Sequence, residues 1–359
     1  MTDQPTPQPK MAFTEWLSQR VVGIANRHLV ARWDRFRFRR RLRHLSGPTG
    51  PSGQTDDVTV IALMKDGGYY LDVFLDHYRR LGAAHFVFCD TGSTDGAIER
   101  LAQEPDVTVL QCTLPWGRFE NIFRNHAAHQ FAQDRWCLFA DMDEILELGD
   151  SRDATLPAIT RQLDRLGYTA LMAQMLEMFP DGPLAQTAQL PYREVQSEFI
   201  HYDISTVAQL PYASEATGLS GLLRMNQLPP SSPPYMQFGG IRARVFGEHC
   251  CLSKHPLVKV VDGVAPAIHP HISTGVRVAD RMALLKHYKF ANDPIQRDQE
   301  TQAAATIKHG EDGLRLAGFA DNPDLSLWSE TAQTYAGLQP LLAARFLQGK
   351  AAHQPEDTP

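Results

Sequence analysis

Apolar positions along this chain alternate between short continuous runs and stripes of helical spacing. Val58–Met64 is a run of strand length. Tyr69–Leu81 follows at helical spacing, with Leu71, Phe74, Leu75, Tyr78 and Leu81 on one stripe, and Gly82 stops it. The alternation continues with a strand at His85–Asp90, a helix at Thr94–Gln103, a strand at Val107–Gln111 and a helix at Arg118–Gln133. A strand at Trp136–Ala140, a helix at Asp153–Leu166 and a strand at Tyr168–Met178 complete it. Strands alternating with helices predict an α/β domain, Rossmann-like, with a mostly parallel sheet covered by helices on both faces. After Met178 the pattern fails. Phe179–Gly240 is long, aromatic and proline-rich, including LPPSSPP at 228–234, and a stretch of that length reads as a lid or acceptor site. Strand-like runs return at Ile241–Phe246 and Pro256–Val261, and helical periodicity from Val276 predicts a helical C-terminal region.

The N-terminal part is different. Residues 1–10 are polar and proline-rich, without apolar periodicity, and are expected to be disordered. Residues 13–45 mix Trp16, Leu17, Val21, Ile24, Trp33, Phe36 and Phe38 with arginines at 20, 27, 32, 35, 37, 39, 40, 41 and 43. Such a segment fits either a helical arm that packs on protein or peripheral contact with an anionic membrane. A nucleic-acid arm has no second feature to support it, so nucleic acid is not expected as a partner. Ser46–Asp57 (SGPTGPSGQTDD) reads as a linker. The expected division is an arm and linker over 1–56, a main domain over 57–295, helices over 296–350 and a tail over 351–359.

Composition narrows the class. The chain has 359 residues, 43% hydrophobic and 21% charged, with net charge −6, an ordinary globular balance with no general attraction to polyanions. No apolar run reaches the roughly 18 residues of a membrane span, and no secretory signal is visible. Five cysteines lack CxxC spacing, and Cys89 and Cys137 lie in apolar runs where a reduced, buried thiol is expected. A cytoplasmic protein fits. Cys250-Cys251 beside His249 has no second pair at zinc-finger spacing.

Candidate chemistry sits where strands end. The run Trp136–Ala140 empties into Asp141-Met142-Asp143-Glu144. Carboxylates at the C-terminal end of a buried strand lie at the edge where open α/β sheets bind ligands. Asp141 and Asp143 stand two apart, so an extended segment points both to one side. Two converging carboxylates need a positive charge between them, and Mn²⁺ or Mg²⁺ suits oxygen ligands and would in turn hold a phosphate. Alone, the same acids also describe a surface turn. Strand His85–Asp90 likewise ends in acid, Asp90-Thr91-Gly92-Ser93-Thr94-Asp95-Gly96. There Asp90 can accept from a base imide or ribose hydroxyls, or simply brace a βα turn. Neither GxxxxGK[ST] nor GxSxG is present.

Together, VTVIALMKDGGYYLDVFLDHYRRLGAAHFVFCDTGSTDG at 58–96 and WCLFADMDE at 136–144 resemble the nucleotide-sugar half of a family 2 glycosyltransferase of the GT-A fold. Further matches are MFPDGPL at 178–184, GGIRARVF at 239–246, LSKHPLV at 252–258 and LLKHYKF at 284–290, so the resemblance covers roughly residues 57–295. The chain departs from the family at Lys65-Asp66, where Asn-Glu is commoner, and in lacking the Glu-Asp pair that often supplies the base. The resemblance implies a UDP- or GDP-linked sugar donor, with Asp90, Asp66 and Asp95 shaping the nucleoside pocket and Arg124 and Asn125 facing the donor. It implies metal contact through Asp141 and Asp143, with a third ligand from His269, His271 or His287, His287 and His271 being preferred. Lys254 and Lys289 would touch the diphosphate. An inverting transfer needs a carboxylate base, and Asp181, Glu198, Asp203 and Glu215 lie in the 179–240 stretch, Asp181 and Asp203 at positions where the subgroup carries acids. The acceptor would be a glycan, lipid-linked or polysaccharide chain. Two other classes stay open: a nucleotidyltransferase, which usually has a Gly-rich basic loop where this chain has MKDGGYY, and a non-catalytic glycan-binding protein.

Overall fold

A computed structural model describes residues 29–151, 153–303 and 310–349, in two compact units, one reaching to Leu42 and one starting at Arg43. The expected features at 1–10, at 13–28 and over the tail 351–359 lie outside the described residues. In the first unit, residues 29–41 are helical.

The second unit is built on a nine-stranded sheet. In chain order its strands are β1 (Arg43–Ser46), β2 (Val58–Met64), β3 (Ala83–Asp90), β4 (Val107–Gln111) and β5 (Trp136–Phe139). They continue with β6 (Glu144–Glu147), β7 (Ala170–Glu177), β8 (Ser253–Lys259) and β9 (Val278–His287). The order across the sheet is β1-β4-β3-β2-β5-β8-β7-β9-β6. Strands β2, β3, β4, β5, β7 and β9 run one way, and β1, β6 and β8 run against them. The expected α/β class with a mostly parallel sheet is therefore what forms. Every residue of β2 and β7 is buried, so both read as near-continuous apolar stretches, broken by Thr59 in β2 and by Gln174 and Glu177 in β7.

Helices α1 (Leu71–Arg80), α2 (Ala97–Leu101) and α3 (Trp116–Phe131) make the first crossovers, and α4 (Leu156–Arg165) leads into β7. The chain steps from β2 to β3 to β4 in one direction, then returns through α3 to place β5 on the other side of β2. Right-handed crossovers put α1 and α2 on one face and α3 on the other. The reversal between β2 and β5 is a topological switch point, where the loops after both strands part and leave a crevice.

Several elements differ from expectation. Ile241–Phe246 is a helix, not a strand. Val276 onward opens with the ten-residue strand β9 rather than a helix; the helices follow at Pro294–Ala303, Glu311–Asp321 and Leu338–Ala343. Strand β9 is buried on both sides along most of its length, so its apolar residues Val278, Ala279, Met282, Ala283, Leu284 and Leu285 do not alternate with polar ones as in a strand with one wet face. The 179–240 stretch is structured: Tyr192–Glu198 is helical, and Val207–Pro211 pairs with Tyr235–Gly239 as an antiparallel ribbon. The glycine-rich stretch at 46–57 is held down, since Arg135 donates to the carbonyls of Ser52, Gly53 and Gln54 and Gln130 to that of Thr49. All five cysteines are free thiols, and Cys89, Cys112, Cys137 and Cys250 are buried.

Burial also sets an acid limit. His77, His85 and His255 are each pushed down to about 4, primarily by desolvation. They fold neutral and would titrate near 6.5 when unfolded, so the unfolded chain binds more protons between those values. The share of stability that rests on these three should be full above about pH 6.5 and fall as the pH drops toward 4. Melting temperatures across this window check it; a flat profile between pH 7 and 4.5, with no loss at the acid end, would contradict it.

Candidate active site

The turn after β5 is fixed before any side chain is considered. Ala140 N–H donates to Ile61 O, Glu144 N–H to Asp141 O, Tyr288 N–H to Asp143 O, and the Tyr78 hydroxyl to Glu144 O. Asp141 and Asp143 thus sit in the turn that follows β5, beside the end of β2.

Around them the sheet register assembles charge. His287 pairs with Glu144 of β6 on one side and with Glu177 of β7 on the other, so three ionisable residues stand in one row at the same sheet edge. His287 Nδ1 lies 3.0 Å from Glu177 Oε1, and Nε2 lies 3.5 Å from Asp143 Oδ2. Burial opposes a charge on this ring, but the carboxylates of Glu177 and Asp143 outweigh it and raise His287 to about 9. Burial would likewise raise Glu177; Arg242 and His287 instead hold it at about 2. Asp143 is held well below the usual carboxylate range, against burial, by His287, Arg297 and Lys289.

A second cluster adjoins the first. Lys254, at the start of β8 and 3% exposed, donates to Asp141 Oδ2 at 2.6 Å and to both oxygens of Glu144 at 2.8 and 2.9 Å. Arg124 of α3 donates to Asp141 Oδ1 at 2.9 Å and also pairs with Glu120. Burial works against a charged Asp141, yet Lys254 and Arg124 keep it ionised far below the ordinary range. Glu144 is instead raised, because burial outweighs its contact with Lys254.

The loops after β2 and β3 interlock beside this cluster. Asp66, at φ +50°, accepts from Thr94 N–H, and its own N–H donates to Ser93 Oγ. Asp95 accepts from Gly68 N–H and Ala97 N–H. A side chain at Gly68 would bring its Cβ within 2.9 Å of the Asp95 carboxylate, which would have to shift from its bond to the Gly68 N–H. Asp90 is fully buried and accepts from the N–H groups of Gly92 and Ser93 and from Gln111 Nε2.

The structure thus gathers Asp141, Asp143, Arg124, Lys254, His287 and Lys289 at one edge, with Asp66, Asp90 and Asp95 in the neighbouring loops. Other expected residues stand differently. His271 turns Nδ1 to Ser253 O, and burial and the nearby Lys254 push it down to about 3, with Asp141 also within its electrostatic reach. His271 N–H in turn donates to His269 Nδ1. Asn125 donates to Pro266 O. Asp203 accepts from Ser205, Ser329 and Thr331 and is 5% exposed. Asp181 is exposed, and its carboxylate has no bonded partner among the described residues. No hydrogen bond or ion pair joins Asp181 or Asp203 to the cluster among the described residues. Three residues of the site were not singled out from the sequence: Glu177, Arg242, which lies 2.8 Å from Glu177, and Arg297, which donates to the Tyr70 hydroxyl and to Lys289 O. Only an end-of-strand acid pattern at Glu177, following the β5 precedent, marked any of them.

The donor set bears on a metal. Among the described residues no group of three or more His, Cys, Asp or Glu side chains is gathered for one. Asp141 spends both oxygens on Arg124 and Lys254. Asp143 and His287 are a different case. Their facing atoms stand 3.5 Å apart and the far nitrogen of the ring is anchored on a buried carboxylate, the arrangement that orients a ligating histidine. A carboxylate and an imidazole are donors that suit Mn²⁺. To accept a cation the ring would give up its proton.

No family model matches the chain, and no curated protein sequence matches it. Among solved structures, the mannosyltransferase PcManGT from Pyrobaculum calidifontis, in complex with GDP-Man and Mn²⁺, is similar at 21% identity over 40% of this chain and 42% of that one, with a TM-score of 0.27. The match therefore spans about two fifths of the length of that protein.

Proposed function

We propose that this protein is a metal-assisted glycosyltransferase that moves a sugar from a nucleoside-diphosphate donor to a saccharide or lipid-linked acceptor with inversion. The observation that carries it is the imidazole of His287 held between the carboxylates of Asp143 and Glu177 at the carboxyl edge, beside the switch point of a mostly parallel sheet. The motif resemblance of residues 57–295 to GT-A enzymes supports the same reading from the sequence.

The residues take roles from their geometry. The interlocked loops at 64–68 and 91–97 bound the nucleoside end of the crevice, and Asp90 braces their turn from below. Asp143 and His287 would hold a divalent cation, which when bound would supply Lewis-acid neutralisation of the departing diphosphate. Lys289 is half-buried, and its ammonium has no hydrogen-bond partner among the described residues; burial and the nearby Arg297 and Arg315 push it down from the ordinary lysine value. An anion arriving beside it would supply the missing partner. Lys254 and Arg124 keep Asp141 ionised and fixed, so the turn presents constant geometry to the donor. Of the two acids expected to supply the base, Asp181 alone has an unengaged carboxylate, and it takes the acceptor proton in this scheme.

The test is product release from UDP- and GDP-sugars with and without Mn²⁺. Release of the nucleoside diphosphate with Mn²⁺ is the expected result. Pyrophosphate release from a nucleoside triphosphate would make the protein a nucleotidyltransferase, and no turnover with any donor would leave only binding. Asp181→Asn should lower the turnover number by about a hundredfold or more while sparing donor affinity. An Asp181→Asn enzyme with normal turnover would remove that residue from the scheme.

A further inference from the structure

Helix 29–41 presents two opposed faces. Asp34 and Phe38, four residues apart, are 6% and 1% exposed. Leu29, Trp33, Phe36 and Arg40 recur at spacings of four, three and four and so share another face. That face is open: Leu29 is 64%, Trp33 59% and Phe36 48% exposed. Phe36 lies two residues before Phe38, about 200° round the helix from it. The apolar stripe is thus directed away from the buried one. Trp33 and Phe36 stack with centroids 5.6 Å apart, and the Arg40 guanidinium lies over the Phe36 ring.

Arginines flank this stripe. Arg32, Arg35, Arg39, Arg40 and Arg41 are exposed, and no carboxylate pairs with any of them among the described residues. The chain as a whole carries −6, so the positive charge is local to this helix. A partner must supply both an apolar layer for Leu29, Trp33 and Phe36 and a dense anionic layer for the guanidinium groups. A nucleic-acid backbone supplies only the second. The boundary between headgroups and acyl chains of an anionic bilayer supplies both, at the depth an in-plane helix reaches. Tryptophan also favours that boundary.

We propose that helix 29–41 seats the protein on an anionic lipid surface, with Leu29, Trp33 and Phe36 in the interface and the arginines on the headgroups.

The experiment is co-sedimentation of the full chain with phosphatidylglycerol-containing vesicles and with pure phosphatidylcholine vesicles, at low and high salt. Binding to the anionic vesicles at low salt is expected, with little to neutral ones, and it should weaken strongly as salt rises. Trp33→Ala/Phe36→Ala should lower vesicle partition by about tenfold or more. Its melting temperature should stay unchanged, since both side chains are exposed. Arg35→Gln/Arg39→Gln should erase the preference for anionic over neutral vesicles. Three results overturn the proposal: no vesicle binding at low salt, vesicle binding unaffected by Trp33→Ala/Phe36→Ala, or binding only to duplex DNA or to a second copy of the chain.

Discussion

Asp143→Ala should cut sugar transfer by about a thousandfold, the several kcal/mol a positioned cation contributes to a departing diphosphate, and leave the fold standing. The side chain lies outside the core, at 19% exposure. Its backbone carbonyl still accepts from Tyr288 N–H whatever the side chain is. The imidazolium of His287 keeps Glu177 as its partner, so no buried charge is stranded. The matched variant is His287→Ala, which should weaken Mn²⁺ affinity and turnover together and recover in part when Mn²⁺ is raised. Transfer rates, Mn²⁺ titration and melting temperature separate the outcomes. Asp143→Ala with undiminished metal-dependent turnover would remove this pair from the site. A His287→Ala protein that melts early and gains nothing from Mn²⁺ would make the histidine structural.

Arg315→Met should be the most destabilising single change in the C-terminal region, costing about 3–5 kcal/mol. Arg315 is 1% exposed on helix Glu311–Asp321. It donates to both oxygens of Asp298, to Glu248 at 2.9 Å, and to Asp312. Glu248 also meets Arg242 at 3.2 Å, and Arg242 lies 2.8 Å from Glu177. Charges of alternating sign therefore run from His287 through Glu177, Arg242 and Glu248 to Arg315 and Asp298. Methionine fills the volume but leaves Glu248 and Asp298 buried with fewer partners, and an uncompensated buried charge is what costs most. Arg315→Lys keeps the charge and loses the planar fork, so it should fall between. Thermal or denaturant unfolding measures this, and a melting point within a degree of the parent would show that the network contributes nothing to stability.

The first half of the sheet was legible because each element carries its own pattern. Val58–Met64 and Trp136–Phe139 are apolar runs of strand length bounded by charge. Helix α1 shows its buried stripe, Leu71, Phe74, Leu75 and Tyr78, at helical spacing. The strand-end acids at 90, 141 and 143 were visible for the same reason: a polar residue directly after a buried strand is a local event. Ile241–Phe246 misled because six residues are too few for a period to show.

What the sequence determined by itself was the α/β alternation, the acid turns that end β3 and β5, and the basic aromatic composition around residue 33. Tertiary structure decided the rest. Glu144, Glu177 and His287 share a row only because β9 lies between β7 and β6, and strand order is not written in local periodicity. Lys254 closes on Asp141 and Glu144 because β8 runs antiparallel between β5 and β7, which brings its first residues to the edge where its neighbours end. The charge of an ionisable group depends on what surrounds it in space. The same imidazole is neutral when buried at 255 and an imidazolium at 287 because only the second is held between two carboxylates.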